Sequence, residues 1–349
     1  MSAESETVDA EADGFRRRLI GIFSLLAVAN VGAWVGALTV FAGQPVLIGM
    51  AVLAYSLGLR HALDADHIAA IDNVTRKLMQ ERQRPVAVGF FFALGHSAVV
   101  LVASLAVATA ANSLLDRFAD YRELGGIIGT LASALFLFAI AIANLVVLRG
   151  VYGALQRVRR GEQIRDEDVD ALLQQRGWLA RLFRPLFKLI ARSWQLFPIG
   201  FLFALGFETA SEVSLFGVST EASRLVSNWA ILIFPALFAA GMTLIDTLDG
   251  VLMLGAYGWA YRNPVRKLFY NVTITTISVL VALAIGGVET LGLLAGHLGF
   301  EGTVWGWISG LSANFGALGY GIVALFAVSW IVSLLIYHAN GFARRDERV

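Results

Sequence analysis

The stretch RHALDADHIAAIDN, Arg60 to Asn73, gathers an arginine, two histidines and three aspartates in fourteen residues. Three further stretches set polar groups in apolar surroundings. GFFFALGHSAVV carries His96 and Ser97, GFLFALGFETASEV carries Glu208, Thr209, Ser211 and Glu212, and GMTLIDTLDG carries Asp246, Thr247 and Asp249. Imidazole and carboxylate together are the donor set of a divalent transition metal, whereas carboxylates alone suit Ca2+ or Mg2+ better. On a straight helix His61, Asp64 and His67 fall within about 120° of one another, and Asp66 points elsewhere. Glu208 and Glu212 are four apart and Asp246 and Asp249 three apart, so each pair shares a face. His61 and His67 are six apart, roughly 9 Å along an unbroken axis, too far for one ion with ~2 Å bonds. Either the helix opens near the site, with Gly58 close by, or the two imidazoles serve successive stations.

Each group has a plainer alternative. His61, Asp64 and His67 could form an ion-pair cluster with Arg60. Asp72 and Asn73 could be interfacial, and His96 a packing donor between helices. Glu208 and Glu212 could hold helices together, and Thr209, Ser211 and Thr247 are residue types that more often pack than ligate. His297 and His338 are read as uninvolved and Glu289 as structural.

The elements that must position these residues are membrane spans. The chain is 57% hydrophobic and only 15% charged, against about 25% charged in soluble domains, and its mean hydropathy is +0.70. Runs of about 20 apolar residues, enough to cross a ~30 Å hydrocarbon core, recur at 19–42, 46–73, 86–111, 124–148, 197–220, 229–259, 269–295 and 315–337. The period-2 alternation of a membrane β-barrel is absent. The expected fold is all-α: a polytopic bundle of eight transmembrane helices.

With the N-terminus inside, 23 of the 27 Lys and Arg fall in inner segments and only Arg117, Arg122 and Arg224 in outer ones. That asymmetry places both termini in the cytoplasm. Trp194, Trp229, Trp259, Trp305 and Trp307 lie where spans should meet headgroups. The expected organisation is a tail over 1–18, four spans over 19–148, a basic cytoplasmic loop over 149–196, four spans over 197–337 and a tail over 338–349. The acidic residues ahead of Arg16–Arg18 read as an uncleaved inner anchor, not a signal peptide. WLARLFRPLFKLI in the large loop reads as an amphipathic helix on the membrane surface. Without cysteine there are no disulfides or thiolate ligands. No phosphate-binding loop is present, so neither an ATPase subunit nor nucleic-acid binding is evident from this chain. GFFFALGH (89–96) and GFLFALGF (200–207) form a weak internal echo.

At its four polar segments the chain resembles the nickel/cobalt transporter family, whose marks are R-H-A-x-D-A-D-H, F-x-L-G-H-S, L-G-F-D-T-A-T-E and G-M-x-x-x-D-T-x-D. Here they read RHALDADH (60–67), FALGHS (92–97), LGFETASE (205–212) and GMTLIDTLD (241–249). The resemblance implies an eight-span secondary permease of the bacterial inner (plasma) membrane. It would take up Ni2+ or Co2+ as substrate, with no permanently bound cofactor, no enzymatic activity and the lipid bilayer as its surroundings. It also implies that His61, Asp66 and His67 are essential. Glu208 stands where the family has Asp, and Ser211 where it has Thr.

Three rivals compete with that reading. Efflux of the same metals is disfavoured because 149–196 contains no histidine. A haem or metalloenzyme is disfavoured because Asp64 and Asp66 do not suit bis-histidine haem, and H-E-x-x-H is absent. A proton-coupled carrier using His and Asp as a relay would bind no metal.

Glu208 generates a test. Selectivity between similar ions depends on geometry more than on charge. Glu208→Asp should therefore change the nickel-to-cobalt uptake ratio while transport continues, and Glu208→Gln should impair both. Competition between labelled metals measures this, and wild-type transport by Glu208→Gln would make Glu208 a packing residue.

Overall fold

The computed structural model describes residues 2–81, 83–109, 112–160, 190–205, 210–223, 225–260 and 264–339. Among these residues the structure is helical, with no strand. The helices are α1 Ser2–Val40, α2 Pro45–His61, α3 Ala65–Gln80, α4 Val88–Thr109, α5 Asn112–Arg159, α6 Leu196–Ala204, α7 Ala210–Ser223, α8 Asn228–Ile231, α9 Ile233–Ala260, α10 Pro264–Leu298, α11 Thr303–Ser312 and α12 Phe315–Ala339. A single 3-10 turn, Ser193–Gln195, precedes α6.

Among the described residues, five helices are long and apolar enough to cross a membrane, and up to seven spans result if each of two bent pairs counts as one. The chain is thus a multi-pass membrane protein. The first bent pair is α2 with α3, bent by 51°; the second is α11 with Phe315–Ser329 of α12, bent by 76°. The fifth expected span, 197–220, crosses residues 206–209, which lie outside the described ones. The amphipathic helix expected in the large loop falls there too, among 161–189. Segment 303–312, expected to be loop, is the apolar helix α11.

α3 inverts the usual relation between polarity and depth. It is rich in polar residues, yet from Ala65 to Gln80 every residue but Asp66 is buried. Ile68, Ile71, Val74 and Leu78 pack against Phe92 of α4, Leu137 and Ile140 of α5, Leu254 of α9 and Ile285 of α10. The apolar side chains left over point outward: Val28, Leu135, Leu252 and Leu280 are each more than half exposed, as a lipid-facing surface requires. Trp194, Trp229 and Trp307 are exposed as well.

The expected inner loop 74–85 therefore needs correction. Residues 74–80 complete α3, and Arg76 and Lys77 are buried in the bundle. Lys77 Nζ reaches Glu81 Oε1 at 3.0 Å and donates to the Ile190 carbonyl, and Gln83 Nε2 donates to Ala191 O at 2.9 Å. These bonds tie the C-terminal end of α3 to the segment leading into α6.

The break lies at Ala62–Asp64. Leu63 N donates to Arg60 O at 3.0 Å and Asp64 N to His61 O at 2.9 Å, tightening the end of α2 into three-residue turns. Asp64 then turns to extended backbone (φ −67°, ψ 148°) and caps α3, its carbonyl accepting from Ile68 N at 3.2 Å. Aspartate is a favoured residue at that position, and Asp66 follows in the positive first turn. Gly58 is not the hinge that the sequence suggests. α2 stays helical through it, and its missing side chain lets the Phe238 carbonyl of α9 approach. Gly319 of α12 sits in the same manner on the Leu63 carbonyl, bracing the break from the opposite side.

A side chain at 319 must displace either α12 or the break. Gly319→Ala should destabilise the detergent-purified protein by about 1–3 kcal/mol, the range for overpacking, seen as a lower thermal midpoint. Gly321→Ala, where nothing lies within 4 Å, should leave the midpoint unchanged.

Candidate metal site at the break in the second span

The break brings together what a straight helix would hold apart. The ring centroids of His61 and His67 are 4.6 Å apart, and His96 of α4 lies 4.7 Å from the first and 4.8 Å from the second. Of the alternatives left by the sequence, the opened helix is the one observed. One ligand atom from each of the three imidazoles lies within 4.8 Å of the others, and all three residues are buried.

Carboxylates fix the rings. His61 Nδ1 is 2.9 Å from Asp64 Oδ2, and His67 Nδ1 is 3.1 Å from Asp246 Oδ2. A carboxylate accepts, so each Nδ1 donates to it, and in the neutral imidazole that leaves Nε2 as the atom with a lone pair for a metal. This is how a carboxylate commonly orients a ligating histidine. His67 Nε2 is buried with no hydrogen-bond partner among the described residues, and so is Asp66 Oδ1. Two buried acceptors facing no donor are what a cation site presents. Phe92 packs edge-on to His67 at 4.8 Å, and Phe238 lies 5.4 Å from His61. Phe92 was legible as the residue one turn before His96; Phe238 had no sequence signal.

Glu212 of α7 closes the group. His61 Nε2 and His96 Nε2 are 2.9 Å apart, His96 Nε2 and Glu212 Oε1 3.0 Å, and His61 Nε2 and Glu212 Oε1 3.9 Å. A triangle with those sides has a circumradius of roughly 2.0 Å, an ordinary metal–nitrogen bond length. An ion there would have His61 and Glu212 nearly opposite each other and His96 at about a right angle to both, three corners of the square that Ni2+ and Cu2+ accept. A proton on His96 Nε2 can hold the same three atoms together, so metal and proton compete for one place.

The other expected residues divide. Arg60, Asp64 and Asp66 line a cavity of about 400 Å³ together with His61, His96 and Glu212. Asp66 thus reaches the site that the straight-helix argument denied it. Among the described residues Arg60 forms no ion pair with Asp64, whose oxygen is held by His61, so the Arg60 ion-pair alternative is not what the geometry shows. Ser97 is buried beside His96, its hydroxyl without a partner among the described residues. Thr247 donates to the Thr243 carbonyl of its own helix at 2.6 Å and offers the site nothing. Glu208, Thr209 and the side chain of Ser211 lie outside the described residues.

Asp72 and Asn73 are not interfacial. Both are buried, roughly 7.5 and 9 Å further along α3 than His67. Asp72 accepts from Tyr257 OH and, at 2.7 Å, from Ser278 Oγ. Asn73 Oδ1 accepts from Arg76 Nη2 at 2.9 Å and from Asn144 Nδ2 at 2.7 Å. Asp249 lies between the layers, one turn along α9 from Asp246 and in the field of Asp72, its Oδ2 buried without a partner among the described residues.

Comparison with known proteins meets this geometry from the other side. The sequence profile of the NicO family, described as high-affinity nickel-transport protein, matches residues 47–336. A high-affinity nickel transport protein of Cupriavidus necator is 57% identical over 334 residues, covering 95% of each chain. The nickel transporter NixA of Staphylococcus aureus is 50% identical over 84% of this chain and 86% of its own. The cobalt transport protein NhlF of Rhodococcus rhodochrous is 40% identical over 93% of each. No solved structure matches. A profile match over most of the chain, with relatives this similar end to end, makes this chain a member of the NicO family of nickel-transport proteins.

Proposed function

We propose that the chain takes up Ni2+, and Co2+ by the same route, across the inner (plasma) membrane. It works as an eight-span secondary carrier with both termini in the cytoplasm. The observation that carries this reading is the site at the break. Three imidazoles and Glu212 converge in a membrane-spanning bundle, with lone pairs of His61 and His67 directed by Asp64 and Asp246. His61, His67, His96 and Glu212 are the ligands, and Asp66 offers a further oxygen at the cavity wall. Asp249 is the station beyond, towards the Asp72–Asn73–Arg76 layer. Asp64 and Asp66 offset the positive start of α3 next to the site. The NhlF relative's name and the mixed nitrogen–oxygen donor set support cobalt as a second substrate.

The driving force follows from charge. Two charges moving down ~100 mV gain about 4.6 kcal/mol, roughly a thousand-fold accumulation. Inward movement needs no nucleotide, and the charge asymmetry of the loops supplies the orientation.

Labelled Ni2+ uptake into cells expressing the protein tests both parts. Wild-type cells should accumulate nickel, and His67→Ala, made at equal expression, should not. Clamping the potential with potassium and valinomycin should collapse the wild-type signal. Accumulation that survives the clamp, with the pH gradient also removed, would refute the potential-driven mechanism.

Asp246 generates a separate expectation, because it orients His67 without occupying the ligand triangle. Asp246→Asn keeps the shape but lets the amide donate as well as accept, which loosens the choice of tautomer. Nickel affinity of the purified protein should fall by roughly 10–100-fold, the usual cost of losing such a partner, with the fold intact by circular dichroism. Unchanged affinity would remove Asp246 from the site.

A further inference from the structure

The cavity that reaches the imidazoles does not end at them. It continues between α5, α10 and α11, where Thr130, Ser133, Glu289, His297, Ser309 and Ser312 line it. Glu289 was read from the sequence as structural and His297 as uninvolved; the structure places both on this wall. Glu289 is only 5% exposed, lies inside the span Val272–Leu298, and accepts from Ser133 Oγ at 2.8 Å. A carboxylate at that depth is costly unless it serves a cation pathway. Packing does not require it, since α5 and α10 already meet through apolar contacts such as Phe138 on Gly286.

Spacing along α10 makes the wall a path. Glu289, Gly292, Gly296 and His297 share one face. Between the carboxylate and the imidazole, roughly 12 Å apart along the axis, that face carries two glycines. Gly292, Leu293 and Gly296 all line the cavity between the two groups. The His297 end lies on the side that the loop charges assign to the outside.

We propose that Glu289 is an outer, weaker station for the divalent cation, loaded past His297 and emptied towards His61, His96 and Glu212. The proposal rests on the reading above that the chain carries nickel inward. Held by Ser133, the carboxylate raises the local concentration of cation in the vestibule and takes over part of its hydration before the imidazoles complete the exchange. A single carboxylate binds a divalent cation more loosely than the imidazole cluster, so it can release the ion onward.

The test separates capture from the tight site. Ni2+ titrated into the purified full-length protein should show two classes of site. Glu289→Gln should lose the weaker class and keep the tighter, and His67→Ala should do the reverse. In cells, Glu289→Gln should cut Ni2+ uptake roughly tenfold at subsaturating metal, the low end of what a charged cleft contributes, while leaving the saturated rate unchanged. Glu289→Asp should restore most of the loss. Two results overturn the station: both binding classes intact in Glu289→Gln, or a fall in saturated rate accompanied by a lower thermal midpoint, which would make Glu289 a strut paired with Ser133. If the wild type takes up no nickel, the proposed function falls and the station with it. If the wild type transports and His67→Ala does not, the result for Glu289→Gln judges the station alone.

Discussion

Hydrocarbon offers no hydrogen bonds, so a polar helix at the centre of a membrane bundle must have its donors and acceptors answered by protein. α3 is that helix, and the arrangement around it can be read as the answer. Asp72 draws on Tyr257 and Ser278, Asn73 on Asn144 and Arg76, and His67 on Asp246. These partners come from α5, α9 and α10 as well as α3 itself, so the apolar helices are held in place partly by the polar one. Other buried atoms of α3, such as Thr75 Oγ1 and Arg76 Nε, also have no hydrogen-bond partner among the described residues, but two stand at the break itself. His67 Nε2 and Asp66 Oδ1 are acceptors at the break, where a cation would be the missing partner.

The break makes this possible. A continuous helix would satisfy its own backbone and hold His61 and His67 roughly 9 Å apart. Interrupting it over Ala62–Asp64 folds the two imidazoles to 4.6 Å and frees Asp64 to do two tasks. Its backbone opens α3, while its side chain, not needed as a cap, holds His61. Gly319 and Gly58 let α12 and α9 close on the interrupted span from both sides. The cost of an irregular turn at this depth is met by burying it in protein, the condition under which membranes tolerate such turns.

Much of this was legible in the residues. Mixed imidazole and carboxylate in RHALDADH, with His96, Glu212 and Asp246 in later spans, indicated the donor set, and the separation of His61 and His67 posed the choice that the break resolves. Other features were not legible, each for a physical reason. Helical periodicity ranked Asp66 below Asp64 because it assumes an unbroken axis; across the bend, Asp66 lines the cavity and Asp64 turns to His61. Arg76 and Lys77 resembled loop charges because composition cannot distinguish a charged residue at a span's edge from one whose partners arrive from distant helices. Asn144 and Ser278, which answer this layer, stand in apolar runs where neither attracts notice. Glu289 seemed isolated for the same reason, since its cavity is assembled from α5, α10 and α11.

The two polar layers differ in a way that bears on passage. At the break the cavity is lined by imidazole and carboxylate groups, with Arg60 as the one cationic side chain among them. Further along α3 the layer contains Arg76, fully buried, its guanidinium shared between Asn73 and the field of Asp72. A divalent cation is attracted to the first layer and meets a fixed positive charge at the second. Asp249, lying between them on α9, is the carboxylate placed to moderate that opposition. On the route proposed above, an ion leaving the first layer would meet the bonded Asp72–Asn73–Arg76 layer next.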